Sequence, residues 1–215
     1  MPCTIAHDSR VPRGPLTSTA FFALLVLGCA LVLPGPTAAS FDDAIQALKV
    51  DGRVILMRHT QTVPGVGDPS GFQLEECSTQ RNLNELGIEQ ARSLGAALRN
   101  AGIRIGRVLV SQWCRADDTA RFVLEAASQG NASLGKVKRE RLPALNNVWD
   151  DDSRIDQQVA EIRAAIGRWQ GPGILLMVSH GVTIRPVIGQ SAPQGGFFVL
   201  QPNSDGFSLI AEGAP

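Results

Sequence analysis

The chain has 215 residues, 44% of them hydrophobic, with 20 basic and 20 acidic side chains and a formal net charge of zero. That is the length of one domain, with enough apolar residues to bury a sizeable core. No basic field is present to attract nucleic acid or an anionic membrane surface.

The first segment stands apart. Residues 1–16 are polar and carry Arg10 and Arg13 against Asp8, Ala20 to Leu33 is an unbroken apolar run, and Thr37-Ala38-Ala39-Ser40 supplies small residues. This three-part layout predicts a signal peptide over residues 1–39, cut after Ala39 or Ser40, and a periplasmic or secreted mature domain over 40–215. Two alternatives stay open: an uncleaved membrane anchor, short against the roughly 20 apolar residues a spanning helix needs, or lipid attachment at Cys29. Only such a retained leader would touch a membrane. Removing it leaves a net charge of about −1 and, of four cysteines, Cys77 and Cys114. In an oxidising compartment these two are expected to form a disulfide, worth about 4 kcal/mol for a loop of this length in the chain-entropy model. Two buried thiols are the alternative.

Residues 41–49 read as a short helix leading to an apolar strand at 53–57, which is followed by Arg58-His59. Val63 to Ser78 is rich in Gly and Pro, lacks apolar periodicity, and reads as a long loop. Asn84 is placed to cap a helix reaching Asn100, with Ile88, Ala91, Leu94, Ala97 and Leu98 on one face, stopped by Gly102. A strand at 107–111 and a helix at 113–127 follow, then a polar segment from Ser128 to Arg141 and the acidic run Asp150-Asp151-Asp152. Residues 154–169 repeat Ile155, Val159, Ile162 and Ile166 at helical spacing. The strand at 173–178 is apolar throughout, as befits one covered on both faces, and leads to Ser179-His180. A helix over Thr183–Ile188 contains Pro186, which a helix tolerates in its first turn. Phe197–Leu200 and Phe207–Ile210 flank Gln201 to Gly206 as a closing hairpin. The expected architecture is a three-layer α/β/α domain with a mostly parallel sheet. In such sheets ligands bind at the carboxyl ends of the strands, where His59 and His180, the two histidines of the mature chain, both fall.

Four pieces of sequence, Arg58-His59-Thr60-Gln61-Thr62, Arg81 to Ala91, Ser111 to Ala120 and Ser179-His180-Gly181, resemble in content and order the motifs of the histidine phosphatase superfamily, the phosphoglycerate mutase-like proteins. The chain looks like exported members related to lipopolysaccharide core heptose phosphate phosphatases. The resemblance implies a phosphoglycerate mutase-like fold and hydrolysis of a phosphomonoester, on a small molecule or a glycan. It makes His59 the nucleophile that becomes phosphohistidine, with Arg58, Arg115 and His180 around the phosphoryl group and no cofactor or metal. Arginine suits this chemistry because its planar fork donates two parallel hydrogen bonds to phosphate and keeps its proton. Flanking arginines are expected to keep His59 neutral.

Arg81 and Thr62 are further candidates for phosphate contact, although Arg81 could instead pair with Glu85, and Thr62, like Ser179, could merely end a strand. The family commonly supplies a carboxylate to protonate the leaving group. Asp150, Asp151 and Asp152 are the candidates here, with Glu75, Glu76 and Asp68 as rivals; a triple-Asp run is also a common solvated turn. Where many relatives carry a Gly-Glu pair, this chain has Gly195-Gly196-Phe197, which removes an acid from that edge. The rival functions are a phosphoglycerate mutase-type phosphotransferase using the same residues and a non-catalytic phosphate-binding module. The sequence does not settle the oligomeric state.

Overall fold

A computed structural model of the chain describes residues 40–130, 137–147 and 154–215. The leader, with Cys29, and the Asp150-Asp151-Asp152 run lie outside these residues. No helix among the described residues is long and apolar enough to cross a membrane.

The elements in chain order are α1 (Phe41–Ala47), β1 (Val54–Arg58), α2 (Glu85–Asn100), β2 (Ile105–Val110), α3 (Cys114–Ala127), β3 (Arg139–Arg141), α4 (Ile155–Gly167), β4 (Ile174–Ser179), α5 (Gly181–Ile188), β5 (Phe197–Asn203) and β6 (Gly206–Gly213). The six strands form one sheet in the order β3-β2-β4-β1-β5-β6. The first four run parallel, whereas β5 pairs antiparallel with β1 and β6 antiparallel with β5.

Successive residues of a strand face opposite sides of the sheet. Along β1, Ile55 and Met57 join one apolar cluster with α1, α2 and α3, while Val54 and Leu56 join the other with α4 and α5. Along β4, Ile174, Leu176 and Val178 go to the first cluster and Leu175 and Met177 to the second. The result is the expected three-layer α/β/α domain with a mostly parallel sheet.

Two local expectations change. The polar segment ending at Arg141 contains β3, which pairs parallel with β2. Its three residues, Arg139, Glu140 and Arg141, are all exposed and charged, a composition that suits an edge strand and carries no apolar alternation to reveal it. Helix α5 begins at Gly181, two residues earlier than expected, so Pro186 lies inside it rather than in its first turn. Proline removes one helical hydrogen bond, but α5 ends two residues later, where Gly189 adopts φ 84° and closes it.

Candidate active site

Register brings the two histidines together. In the β1–β4 pair Arg58 lies opposite Ser179, so the next residues, His59 and His180, leave neighbouring strands at the same edge. The His59 amide donates to the Ser179 carbonyl at 2.9 Å, and the imidazole centroids are 5.3 Å apart. On the other flank of β4 the Ser111 amide donates to the Val178 carbonyl, setting the end of β2 and the start of α3 beside the same edge.

A cavity of about 270 Å³ opens here, lined by Arg58, His59, Arg81, Arg115, His180 and Arg185 together with Gly181 and Val182. The last two form the first turn of α5, whose N–H groups have no carbonyl partner within the helix and favour an anion. Gly181 leaves room for Arg58: a Cβ there would stand 3.2 Å from Arg58 Nη1.

The hydrogen bonds define what each imidazole offers. His59 Nδ1 lies 2.9 Å from the Thr60 carbonyl, which can only accept, so Nδ1 carries the proton and Nε2 keeps its lone pair. Thr60 is in turn fixed by Thr119 of α3, through its amide at 3.1 Å and its hydroxyl at 3.1 Å. His180 Nε2 is 2.8 Å from Ser111 Oγ, while its Nδ1 is buried without a partner among the described residues. The single Ser111 hydroxyl proton has two acceptors in reach, His180 Nε2 at 2.8 Å and Asn146 Oδ1 at 3.3 Å; with the shorter bond made, Nδ1–H of His180 is available to an oxygen in the cavity. Burial above all, then the charges of Arg115, Arg58 and Arg81, push His59 down to about 3 against the bond to Thr60, which opposes the shift. Burial also leads in holding His180 well below the ordinary histidine range, followed by the charges of His59 and the same arginines. Both rings are neutral near pH 7. The arginines act in the expected direction on His59, but loss of water is the larger cause.

The arginines are held differently. Arg58 Nη1 donates to the Ala192 carbonyl at 3.0 Å, and its Nε is buried without a partner among the described residues. Arg81 donates to the Gly65 carbonyl of the long loop rather than to Glu85. Arg115 and Asp68 form a buried ion pair at 2.7 Å, with side chains 2% and 4% exposed. Asp68 also accepts from the Arg81 amide at 2.9 Å and from Trp113 Nε1 at 3.0 Å. Burial alone would raise the Asp68 pKa, yet the Arg115 bond, the Arg81 amide, the Arg115 charge and the Trp113 N–H together hold it below the usual carboxylate range. Asp68 is therefore an anion that clamps the loop onto the site. The disulfide Cys77–Cys114, Cα–Cα 5.6 Å, fastens the far end of the same loop to the start of α3.

Several expected residues lie elsewhere. Thr62 does not line the cavity; its hydroxyl accepts from Gln194 Nε2 at 3.1 Å. Ser179 Oγ donates to the Leu145 carbonyl at 2.8 Å. Glu75 pairs with Arg141 at 3.1 Å and Glu76 accepts from Ser78, both exposed. Asp150, Asp151 and Asp152 fall outside the described residues. The Gly195-Gly196 turn braces this edge of the sheet through its backbone: the Gly195 amide donates to the His59 carbonyl and the Arg58 amide to the Gly196 carbonyl. Arg185, the Ser111–His180 pairing and the Thr60–Thr119 link went unread in the sequence. Arg185 had a signal, since it lies four residues after Gly181 and so on the same helix face. Among the described residues no group of three His, Cys, Asp or Glu side chains is arranged to hold a metal ion.

A model of the histidine phosphatase superfamily (branch 1) matches residues 54–142. It spans the Arg58-His59 and Arg115 motifs and ends before His180. Solved structures share the fold. The protein histidine phosphatase SixA with tungstate is 21% identical, covers 74% of this chain and 95% of its own, and superposes with a TM-score of 0.53. A putative alpha-ribazole-5'-P phosphatase from Escherichia coli K-12 is 21% identical over 74% and 94% of the two chains, TM-score 0.51. Phosphoglycerate mutase from Bacillus anthracis is 17% identical over 77% and 94%, TM-score 0.52. A search of curated proteins finds no match. The family model matches less than half of the chain, and these neighbours, each under 25% identical, show the fold.

Proposed function

We propose that the protein is an exported histidine-type phosphatase that hydrolyses phosphomonoesters through a phosphohistidine at His59. One observation carries this reading: His59 spends Nδ1–H on the Thr60 carbonyl and keeps a neutral Nε2 in a cavity lined by four arginines and His180. A neutral, preoriented imidazole beside fixed cations is what in-line attack on phosphorus requires. Nε2 forms a bond to phosphorus as the P–O ester bond breaks and the departing oxygen takes up a proton. Arg58, Arg115 and the His180 Nδ1–H stabilise the equatorial oxygens. Water then attacks phosphorus, the P–N bond breaks, and inorganic phosphate leaves with His59 restored.

Export rests on the leader over residues 1–39 and is supported by the Cys77–Cys114 disulfide, a bond suited to an oxidising compartment. The substrate we assign is a small-molecule or glycan phosphomonoester, as the resemblance to lipopolysaccharide core heptose phosphate phosphatases implies. The test is turnover of p-nitrophenyl phosphate, whose activated leaving group needs no general acid. His59→Ala should abolish it, and rapid quenching of the wild type should trap an acid-labile phosphoenzyme. More than about a tenth of the wild-type rate in His59→Ala overturns the assignment, because covalent catalysis offers no substitute nucleophile here.

A further inference from the structure

Ser111 directly follows β2 and His180 directly follows β4. The pairing of Val110 with Val178, and the Ser111 amide on the Val178 carbonyl, set these two strand ends side by side. Both side chains are buried, Ser111 completely, and Ser111 Oγ lies 2.8 Å from His180 Nε2. The backbone of His180 is held separately, its carbonyl accepting the Thr183 and Ile184 amides at the start of α5, at 3.1 and 2.9 Å. Its ring meets Trp113 and His59 edge-on, with centroids 5.4 and 5.3 Å away. Packing thus fixes where the ring stands, and hydrogen bonds decide which of its nitrogens carries the proton.

Three groups surround the Ser111 hydroxyl, and their chemistry and distances assign its one proton. The Trp113 amide, 3.3 Å away, is a donor and takes a lone pair of Oγ. Asn146 Oδ1 also stands at 3.3 Å, beyond the usual O–H···O range of about 2.5–3.0 Å, and it already accepts the Gln112 amide at 2.9 Å. The Asn146 amide is locked in that orientation, because its Nδ2 donates to Gln112 Oε1 at 2.7 Å. His180 Nε2, at 2.8 Å, is the acceptor that remains. Nδ1 has no partner among the described residues, and His180 lines the phosphoryl cavity.

We propose that Ser111 is a positioning residue: by committing its proton to Nε2 it fixes His180 as the Nδ1–H tautomer and makes that ring a standing donor to the phosphoryl oxygens. The proposal rests on the phosphatase reading above. A neutral imidazole has one donor and one acceptor, so the opposite tautomer would turn a lone pair toward a dianion and repel what the arginines attract. The donor needs no charge, which suits a ring buried beside three arginines. The two histidines divide the work. Both carry the proton on Nδ1, but His59 spends it on the Thr60 carbonyl and offers Nε2 as nucleophile, whereas His180 spends Nε2 on Ser111 and offers Nδ1–H.

Nitrogen NMR of the histidine-labelled chain reads the tautomer directly, with the spectrum of His180→Asn to assign the signals. In the wild type His180 should show a protonated Nδ1 and a bare, hydrogen-bonded Nε2, and saturation with inorganic phosphate should shift the Nδ1 signal. Ser111→Ala should move the proton wholly or partly to Nε2 and lower kcat/KM for p-nitrophenyl phosphate about tenfold or more, the loss of one hydrogen bond to a charged group. A purely structural serine would lower turnover without moving the proton. A protonated Nε2 in the wild type, or an unchanged tautomer or unchanged kcat/KM in Ser111→Ala, overturns the proposal; should that variant not fold, the wild-type spectrum decides alone. If the wild type does not turn over p-nitrophenyl phosphate, the phosphatase reading fails, and the tautomer with and without phosphate still judges Ser111.

Discussion

Asp68→Ala probes the clamp on which the site geometry depends. The substitution removes the acceptor shared by Arg115, Trp113 Nε1 and the Arg81 amide, all reached by a carboxylate only 4% exposed. Arg115 is itself 2% exposed and its Nε has no partner among the described residues, so the orphaned guanidinium has little else there to turn to. Removing one member of a buried ion pair typically costs about 3–5 kcal/mol, because a charge is left buried and uncompensated. The adjoining cavity of about 270 Å³ can admit water to Arg115, which places the expectation at the lower end, about 3 kcal/mol. Urea unfolding at pH 7 reads this directly. Asp68→Asn keeps one acceptor oxygen but loses the charge and the second acceptor, and should fall between the variant and the wild type. Inorganic phosphate should restore more stability to Asp68→Ala than to the wild type, since the freed Arg115 gains an anion that the folded state alone binds. A loss below about 1 kcal/mol, or equal rescue of both proteins by phosphate, would refute the idea that Asp68 neutralises Arg115 in the folded protein.

Acid should destabilise the fold well above the range where carboxylates titrate. His59 is held at about 3 and His180 also far down, so between roughly 6.5 and those values the unfolded chain binds more protons than the folded one. Stability is therefore complete above pH 6.5 and falls with pH by about 1.4 kcal/mol per unit for each histidine. Urea midpoints at pH 7 and pH 5 test it, and His180→Asn should flatten the slope; no change between these pH values would show that neither imidazole is buried neutral. Arg115→Lys keeps the charge but loses the planar fork, and should weaken vanadate inhibition by roughly 1.5–3 kcal/mol, the range of a charged hydrogen bond; unchanged inhibition would place Arg115 away from the phosphoryl oxygens. Reduction of Cys77–Cys114 reopens a loop of 37 residues' separation and should cost about 4 kcal/mol, while weakening phosphate binding through the loosened loop. Thermal unfolding and phosphate titration with and without a reductant measure both effects, and loss of stability with binding intact would separate the loop from the site.

What the sequence reveals and what it hides divides along a physical line. The sheet, its covering helices and the meeting of His59 with His180 depend on apolar periodicity and on strand ends, both local signals, and both were legible. Element limits shifted by a residue or two because β1 and β4 end where their register does, at Arg58 and Ser179, and not where hydropathy fades. The charged edge strand β3 was invisible for the opposite reason, being specified by its neighbour β2 rather than by its own residues. The site divides in the same way. Arg58, His59, Arg115 and His180 sit in short motifs attached to regular elements, whereas Asp68 lies in a loop with no periodicity and reaches Arg115 across 47 positions of sequence. Nothing local distinguishes Asp68 from Glu75 or Glu76, which the fold leaves exposed. The difference comes from the bridge at Cys77 and the glycine-rich turn at 65–67, which return the loop to the cavity and deliver one of three candidate acids to a buried arginine. A carboxylate placed this way is held as an anion by its donors, so its chemistry is that of a counter-ion, and in the proposed reaction the arginine it fixes is the group that would meet the phosphoryl oxygens.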